Sequence, residues 1–123
     1  MTDSFERLRS LALNEVASTL TALPEPLKER ARAVPVTLER APNTGLQADG
    51  IAADTLGLFV GPDFADEGSV PMPSQIILFL DNIWDQAEQN EAWFLDEIHT
   101  TYLHELGHYL GLDEDDLFER GLE

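Results

Sequence analysis

The sequence has no cysteine. That excludes a disulfide framework and any thiolate metal site, so a bound metal would rest on His, Asp or Glu alone. Long apolar runs are also missing. The longest, Ile76-Ile77-Leu78-Phe79-Leu80, is far short of the roughly 20 residues that a membrane-spanning helix needs. Basic residues are scarce: seven Lys and Arg stand against twenty-four Asp and Glu, for a formal net charge of −17. Such a surface repels phosphate backbones and anionic lipid, which argues against nucleic acid and membranes as partners. Near the N-terminus Asp3, Glu6, Arg7 and Arg9 break up the apolar segment that a leader peptide requires, so the expected location is the cytoplasm.

What is present fits one domain spanning 1–123, with a hydrophobic fraction of 43% and length enough to bury a single core. Phe5, Leu8, Ala12, Val16 and Leu20 recur at helical spacing behind the capping residues Thr2-Asp3-Ser4, which predicts an amphipathic helix over 4–22. Pro24 and Pro26 open a shorter helix reaching about Ala33. Val34 to Glu39 alternates as a half-buried strand does, and Pro35 assigns it to an edge. Pro42, Asn43, Gly45, Asp49 and Gly50 read as a turn-rich loop over 40–54, followed by a strand from Thr55 to Val60 and a loop over 61–73. Gln75 to Leu80 is apolar throughout after its first residue and predicts a central strand covered on both faces. Asp85 with Glu88 forms a capping pair, Asn90 starts a long helix to Leu110, Gly111 ends it, and a last short helix covers about 113–120. The order predicts an α+β fold, a three- or four-stranded sheet with the 90–110 helix packed across it.

The chemistry concentrates near the end of that helix. Two of the three histidines, His104 and His108, stand four residues apart with Glu105 beside the first. Residues i and i+4 share a helix face, roughly 5–6 Å between Cβ atoms, so two imidazoles can reach one cation. Glu105 lies about 100° further round, where it is placed as a general base toward water rather than as a third ligand. Zinc held by three protein ligands keeps one position for water and lowers the pKa of that water to about 7. The third ligand must come from beyond the helix, and a left-handed turn at Gly111 would bring back Asp113, Glu114, Asp115 and Asp116. His99 lies some 140–180° away from the pair by the same period and reads as packed or solvated. Tyr102 and Tyr109 read as packing residues, Trp84 and Trp93 as core, and Gly107 as a position where another backbone or a substrate approaches closely.

The pattern His104-Glu105-x-x-His108-x-x-Gly111-x-x-Glu114 resembles that of the zincin metallopeptidases, and the chain is most similar to their small bacterial "minimal zincin" family. That family is similar over nearly the whole chain, from the first helical segment through strands like Leu56-Gly57-Leu58-Phe59 and Ile76-Ile77-Leu78-Phe79 to the acidic end. Both methionines, Met1 and Met72, precede the helix, so no methionine turn follows the motif as it does in metzincins. The resemblance implies a zincin-like fold, zinc as the cofactor and peptide-bond hydrolysis. It puts Glu114 in the third-ligand slot, with Asp115 the alternative.

The expected function is therefore zinc-dependent hydrolysis of a peptide or protein substrate, with His104, His108 and Glu114 on the metal, Glu105 as base, and the chain acting as a monomer or small homo-oligomer. Two alternatives carry different requirements. A zinc-binding interaction module without hydrolysis has no use for Glu105, and an acidic interaction protein needs no metal. An extended substrate finds its backbone partners most readily on an exposed strand edge. The expected rail is Leu56 to Val60, where Gly57 admits a close backbone and where Leu58→Pro is expected to delete an edge donor.

Overall fold

The computed structural model describes residues 4–25, 27–61 and 74–111. Eight elements follow one another: α1 (Ser4–Ala22), α2 (Leu27–Arg32), β1 (Val36–Glu39), α3 (Thr44–Ala48), β2 (Gly57–Val60), β3 (Gln75–Phe79), α4 (Leu80–Gln86) and α5 (Glu91–Leu110). The fold is α+β, with a small three-stranded sheet in the order β1-β3-β2. β1 runs parallel to β3 and β2 antiparallel to it, in the registers Leu38↔Leu78 and Leu58↔Ile77. The apolar strand β3 is central, as its unbroken hydrophobicity predicts. Pro35 donates nothing to the ladder, yet its carbonyl accepts the Ile76 N–H at 3.0 Å, and the regular strand starts one residue later on the sheet edge.

The core lies where α1, α5 and the sheet meet. On α1 the buried residues are Leu8, Ala12, Val16 and Thr19, one stripe at the three-and-four spacing of a helix face. On α5, Phe94, Ile98, Tyr102, Leu106 and Tyr109 are all at most 2% exposed and are among the largest fully buried side chains. Burying a large apolar side chain is worth roughly 1.5–3 kcal/mol. The helix is stabilised at both ends by its own sequence. Asn90 accepts the Trp93 N–H on its side chain at 3.0 Å, and Gly111 adopts φ 73°, ψ 26°, a left-handed cap that glycine takes without a Cβ clash.

Three departures from the sequence reading have local causes. Within the expected loop 40–54, Asn43 caps a five-residue helix, α3, by accepting the Leu46 N–H at 2.8 Å, because the residue that favours turns also favours N-caps. The expected strand Gln75–Leu80 ends at Phe79, and α4 starts with no intervening loop. Leu80, Ile83, Trp84 and Ala87 hold helical spacing, but the apolar run before them masks the change of period. Asp85 consequently sits inside α4, and Glu88 and Gln89 form a left-handed turn at φ 56° and 58°, so these acids do not cap the long helix. Trp93 is 51% exposed rather than core, since it faces outward in the first turn of α5 while Phe94 takes the core position and meets half-buried Trp84 edge-on at 5.5 Å. The expected final helix over 113–120 lies outside the described residues.

Candidate metal centre

α5 offers opposite faces to its neighbours. At about 100° per residue, Leu95, His99, Tyr102 and Leu106 centre on one side, and Glu97, Thr101, His104 and Glu105 on the other. The first face meets α1, where Thr19 Oγ1 lies 2.8 Å from His99 Nδ1. His99 is thus exposed, bonded to α1 and turned away from the histidine pair. The second face looks toward β2.

On that second face His104, Glu105 and His108 each present one ligand atom, all within 4.8 Å of one another. The two imidazole rings lie edge to face with centroids 4.9 Å apart, the outcome of their i, i+4 spacing. His104 is half-buried and His108 exposed, so the pair opens to solvent on one side. Two imidazole nitrogens beside a carboxylate are a donor set suited to zinc. Glu114 and Asp115, the residues expected to supply the third ligand, lie outside the described residues.

Glu105 is only 9% exposed. Burial pushes its carboxyl above the ordinary value, while the nearby His108 and His104 and a hydrogen bond from the Phe59 N–H act in the opposite sense. That N–H comes from the sheet edge. Phe79 N–H donates to the Leu56 carbonyl at 2.9 Å, which makes 56/79 a hydrogen-bonded pair of the antiparallel ladder. The alternation then turns Leu58 and Val60 toward β3 and leaves Gly57 and Phe59 with their backbone polar groups on the outer edge. Leu58→Pro would therefore break the sheet rather than remove an edge donor, contrary to the sequence expectation.

Gly57 is what allows the helix so close. A Cβ there would stand 2.7 Å from Thr101 Cγ2 and 3.2 Å from Glu105 Cγ, so the space that glycine vacates is the space through which the Glu105 stem passes. Asn82 on α4 fixes the approach to this strand, donating from one side-chain amide to the carbonyls of Ala53 at 2.8 Å and Thr55 at 2.9 Å. Between α5 and the strand runs a groove of about 350 Å³, lined by Leu56, Gly57, Glu97, Thr100, Thr101, His104 and Glu105. Tyr102 and Tyr109 take no part in it. They are 1% and 0% exposed, Tyr109 packs edge-on against Phe59 at 5.9 Å, and burial pushes the Tyr102 phenol up to about 12.

The sequence pointed to His104, Glu105, His108 and the closeness of Gly57. It did not point to the Phe59 amide, because backbone donors carry no residue signature, nor to Glu97, Thr100 and Thr101, which become groove walls only once α5 is docked on β2. Among the described residues no helix is long and apolar enough to cross a membrane. Residues 31–122 match the family described as zincin-like metallopeptidase, a span that takes in β1 through α5 and the entire groove. No curated protein matches the chain.

Proposed function

Since the chain belongs to the zincin-like metallopeptidase family, we propose that it is a zinc-dependent peptidase, with His104 and His108 as metal ligands, Glu114 as the third and Asp115 as its alternative. The observation that carries the reading is the meeting of the His104, Glu105 and His108 ligand atoms within 4.8 Å at the wall of a groove bordered by β2, a strand at the sheet edge among the described residues. Bound zinc supplies a Lewis acid that makes water ionisable near neutral pH. Glu105 takes the proton of the attacking water and delivers it to the departing amine. Its burial supports this role, because a carboxylate drawn away from bulk water is a stronger base than an exposed one. The Phe59 N–H keeps that carboxylate at the sheet edge, on the side from which an extended substrate arrives.

The substrate lies along β2, whose only strand partner among the described residues is β3. Gly57, through its amide and carbonyl, and Phe59, through its carbonyl, offer it outward backbone groups by strand addition. A zinc-organised binding module would leave the position of Glu105 without a purpose.

The test combines metal analysis and turnover. Protein purified without chelator is expected to hold zinc, His104→Ala and His108→Ala to lose it, and Glu105→Gln to keep it while turnover of a fluorogenic peptide mixture falls by roughly 10²–10⁴-fold. Equal zinc in all four proteins, or full turnover by Glu105→Gln, would refute the assignment.

A further inference from the structure

The seven basic residues avoid the part of the chain that builds the groove. The first forty residues hold six acidic and six basic side chains and are formally neutral, whereas residues 41–119 hold seventeen Asp and Glu and no Lys or Arg. Every residue lining the groove comes from this second stretch. The ion pairs Arg7–Glu91, Lys28–Glu25, Arg32–Glu29 and Arg40–Asp81 all lie away from it.

The groove has a neighbour on its Leu56 side. Leu56 is shared with a second hollow of about 210 Å³ lined by Asp54, Asn82, Asp85 and Gln86. A chain leaving His104 toward the start of α5 passes Glu97, and the hollow on the other side of Leu56 adds Asp54 and Asp85. Neither acid has a cationic partner among the described residues. Asp85 lies in the last turn of α4, where the carbonyl end of a helix disfavours an anion, so helix stability does not account for it. Glu97 precedes His104 by seven residues, about 10 Å along the helix, which matches roughly three residues of an extended peptide at about 3.3 Å each.

We propose that the groove takes a cationic polypeptide segment, with a Lys or Arg side chain about three residues from the bond that is cut, on the Glu97 side of the histidine pair. The assignment rests on the hydrolytic reading of His104, Glu105 and His108. It adds the substrate class: the acidic half steers basic segments to the groove, and Glu97, Asp54 and Asp85 hold the side chain once it arrives. Acidic peptides are repelled by the same field.

Zinc-loaded Glu105→Gln, which is expected to bind without cutting, provides a readout independent of activity. Fluorescence anisotropy compares three labelled decapeptide mixtures that differ only in one pair of positions, fixed as Lys/Arg, Gln/Asn or Glu/Asp. The Lys/Arg mixture should bind about tenfold tighter than the Gln/Asn mixture, the Glu/Asp mixture weakest, and the gap should narrow as sodium chloride is raised. Asp85→Asn combined with Glu97→Gln in that background should erase most of the preference while zinc content holds. Equal affinity for the three mixtures, or a preference that survives both neutralisations, overturns the proposal. So does stronger competition by magnesium chloride than by sodium chloride at equal ionic strength, which would make a bare divalent cation the occupant. Wild-type protein separates the two layers. If it cuts all three mixtures equally, the charge assignment fails and hydrolysis stands; if it binds the Lys/Arg mixture selectively and never cuts it, hydrolysis fails and the cationic groove stands.

Discussion

β1 and β2 are strands of four residues each, both on an edge of the sheet and both bonded to β3. What lies beyond the edge separates them. β1 is entered through Pro35 and left through Arg40, whose guanidinium sits 4.5 Å from the centroid of the Phe5 ring and 3.9 Å from Asp81. Its end is tied to α1 and α4 by residues that serve packing. β2 has no side chain at position 57, and the edge amide of Phe59 is held by a carboxylate from α5. The backbone chemistry of the two edges is the same, so what distinguishes them is what the neighbouring helix sets against each.

Proline at Leu58 tests this contrast most severely. It deletes a bond to β3 in a strand of four residues and should prevent stable folding, seen as loss of a cooperative transition in thermal denaturation by circular dichroism. If the protein stays folded and only peptide binding suffers, the alternation of inward and outward groups along β2 is assigned the wrong way round.

Gly57→Ala should have the next largest effect. The added methyl meets Thr101 Cγ2 and Glu105 Cγ, which is expected to cost roughly 1–3 kcal/mol in stability and, by displacing the proposed base, about 100-fold in kcat. Zinc content should not move. Thr101→Ser removes the nearer obstacle, so the double variant should recover part of both losses; strict additivity of the two changes would show that the clash is not the cause.

A smaller effect concerns the metal-free protein. Burial raises the Glu105 pKa in the fold above the ordinary 4.5, so between those two values the native state binds more protons than the unfolded chain. Its contribution to stability therefore falls as pH rises through that window, and the whole cost is present above it. Glu105→Gln keeps an acceptor for Phe59 and does not titrate. Its melting temperature should exceed that of the wild type at neutral pH and converge with it at about pH 4, and a constant difference across the range would count against the buried carboxylate. Smallest of all is Thr37→Ala on β1, which loses a 3.1 Å hydrogen bond to Gln75 Oε1. A cost of about 1 kcal/mol with unchanged kcat is expected, and any catalytic defect would erase the distinction between the edges.

The elements most legible in the sequence are those specified twice, by periodicity and by a boundary residue. α5 has its apolar face, Asn90 and Gly111; β3 has its unbroken run; and the histidine pair follows from the helix period alone. α4 escaped because its stripe begins inside the run that defines β3, so two periods overlap at Leu80. Trp93 was misread because size suggests burial, whereas its position in the first turn of α5 decides exposure. The Glu105–Phe59 bond and the steric role of Gly57 toward Thr101 depend on two elements separated by some forty residues coming together, and no local pattern encodes their distance.

The uneven placement of charge has a practical side. With its formally neutral first forty residues and an anionic remainder, the molecule is a directional adsorbate. On a cationic resin, a polyamine-coated surface or a basic carrier it should attach through this anionic remainder, the stretch from which every groove residue comes, while tethering through α1, on the opposite face of α5, would leave the groove toward solvent. Access to the groove on solid supports should therefore depend on the chemistry of attachment more than on the amount attached.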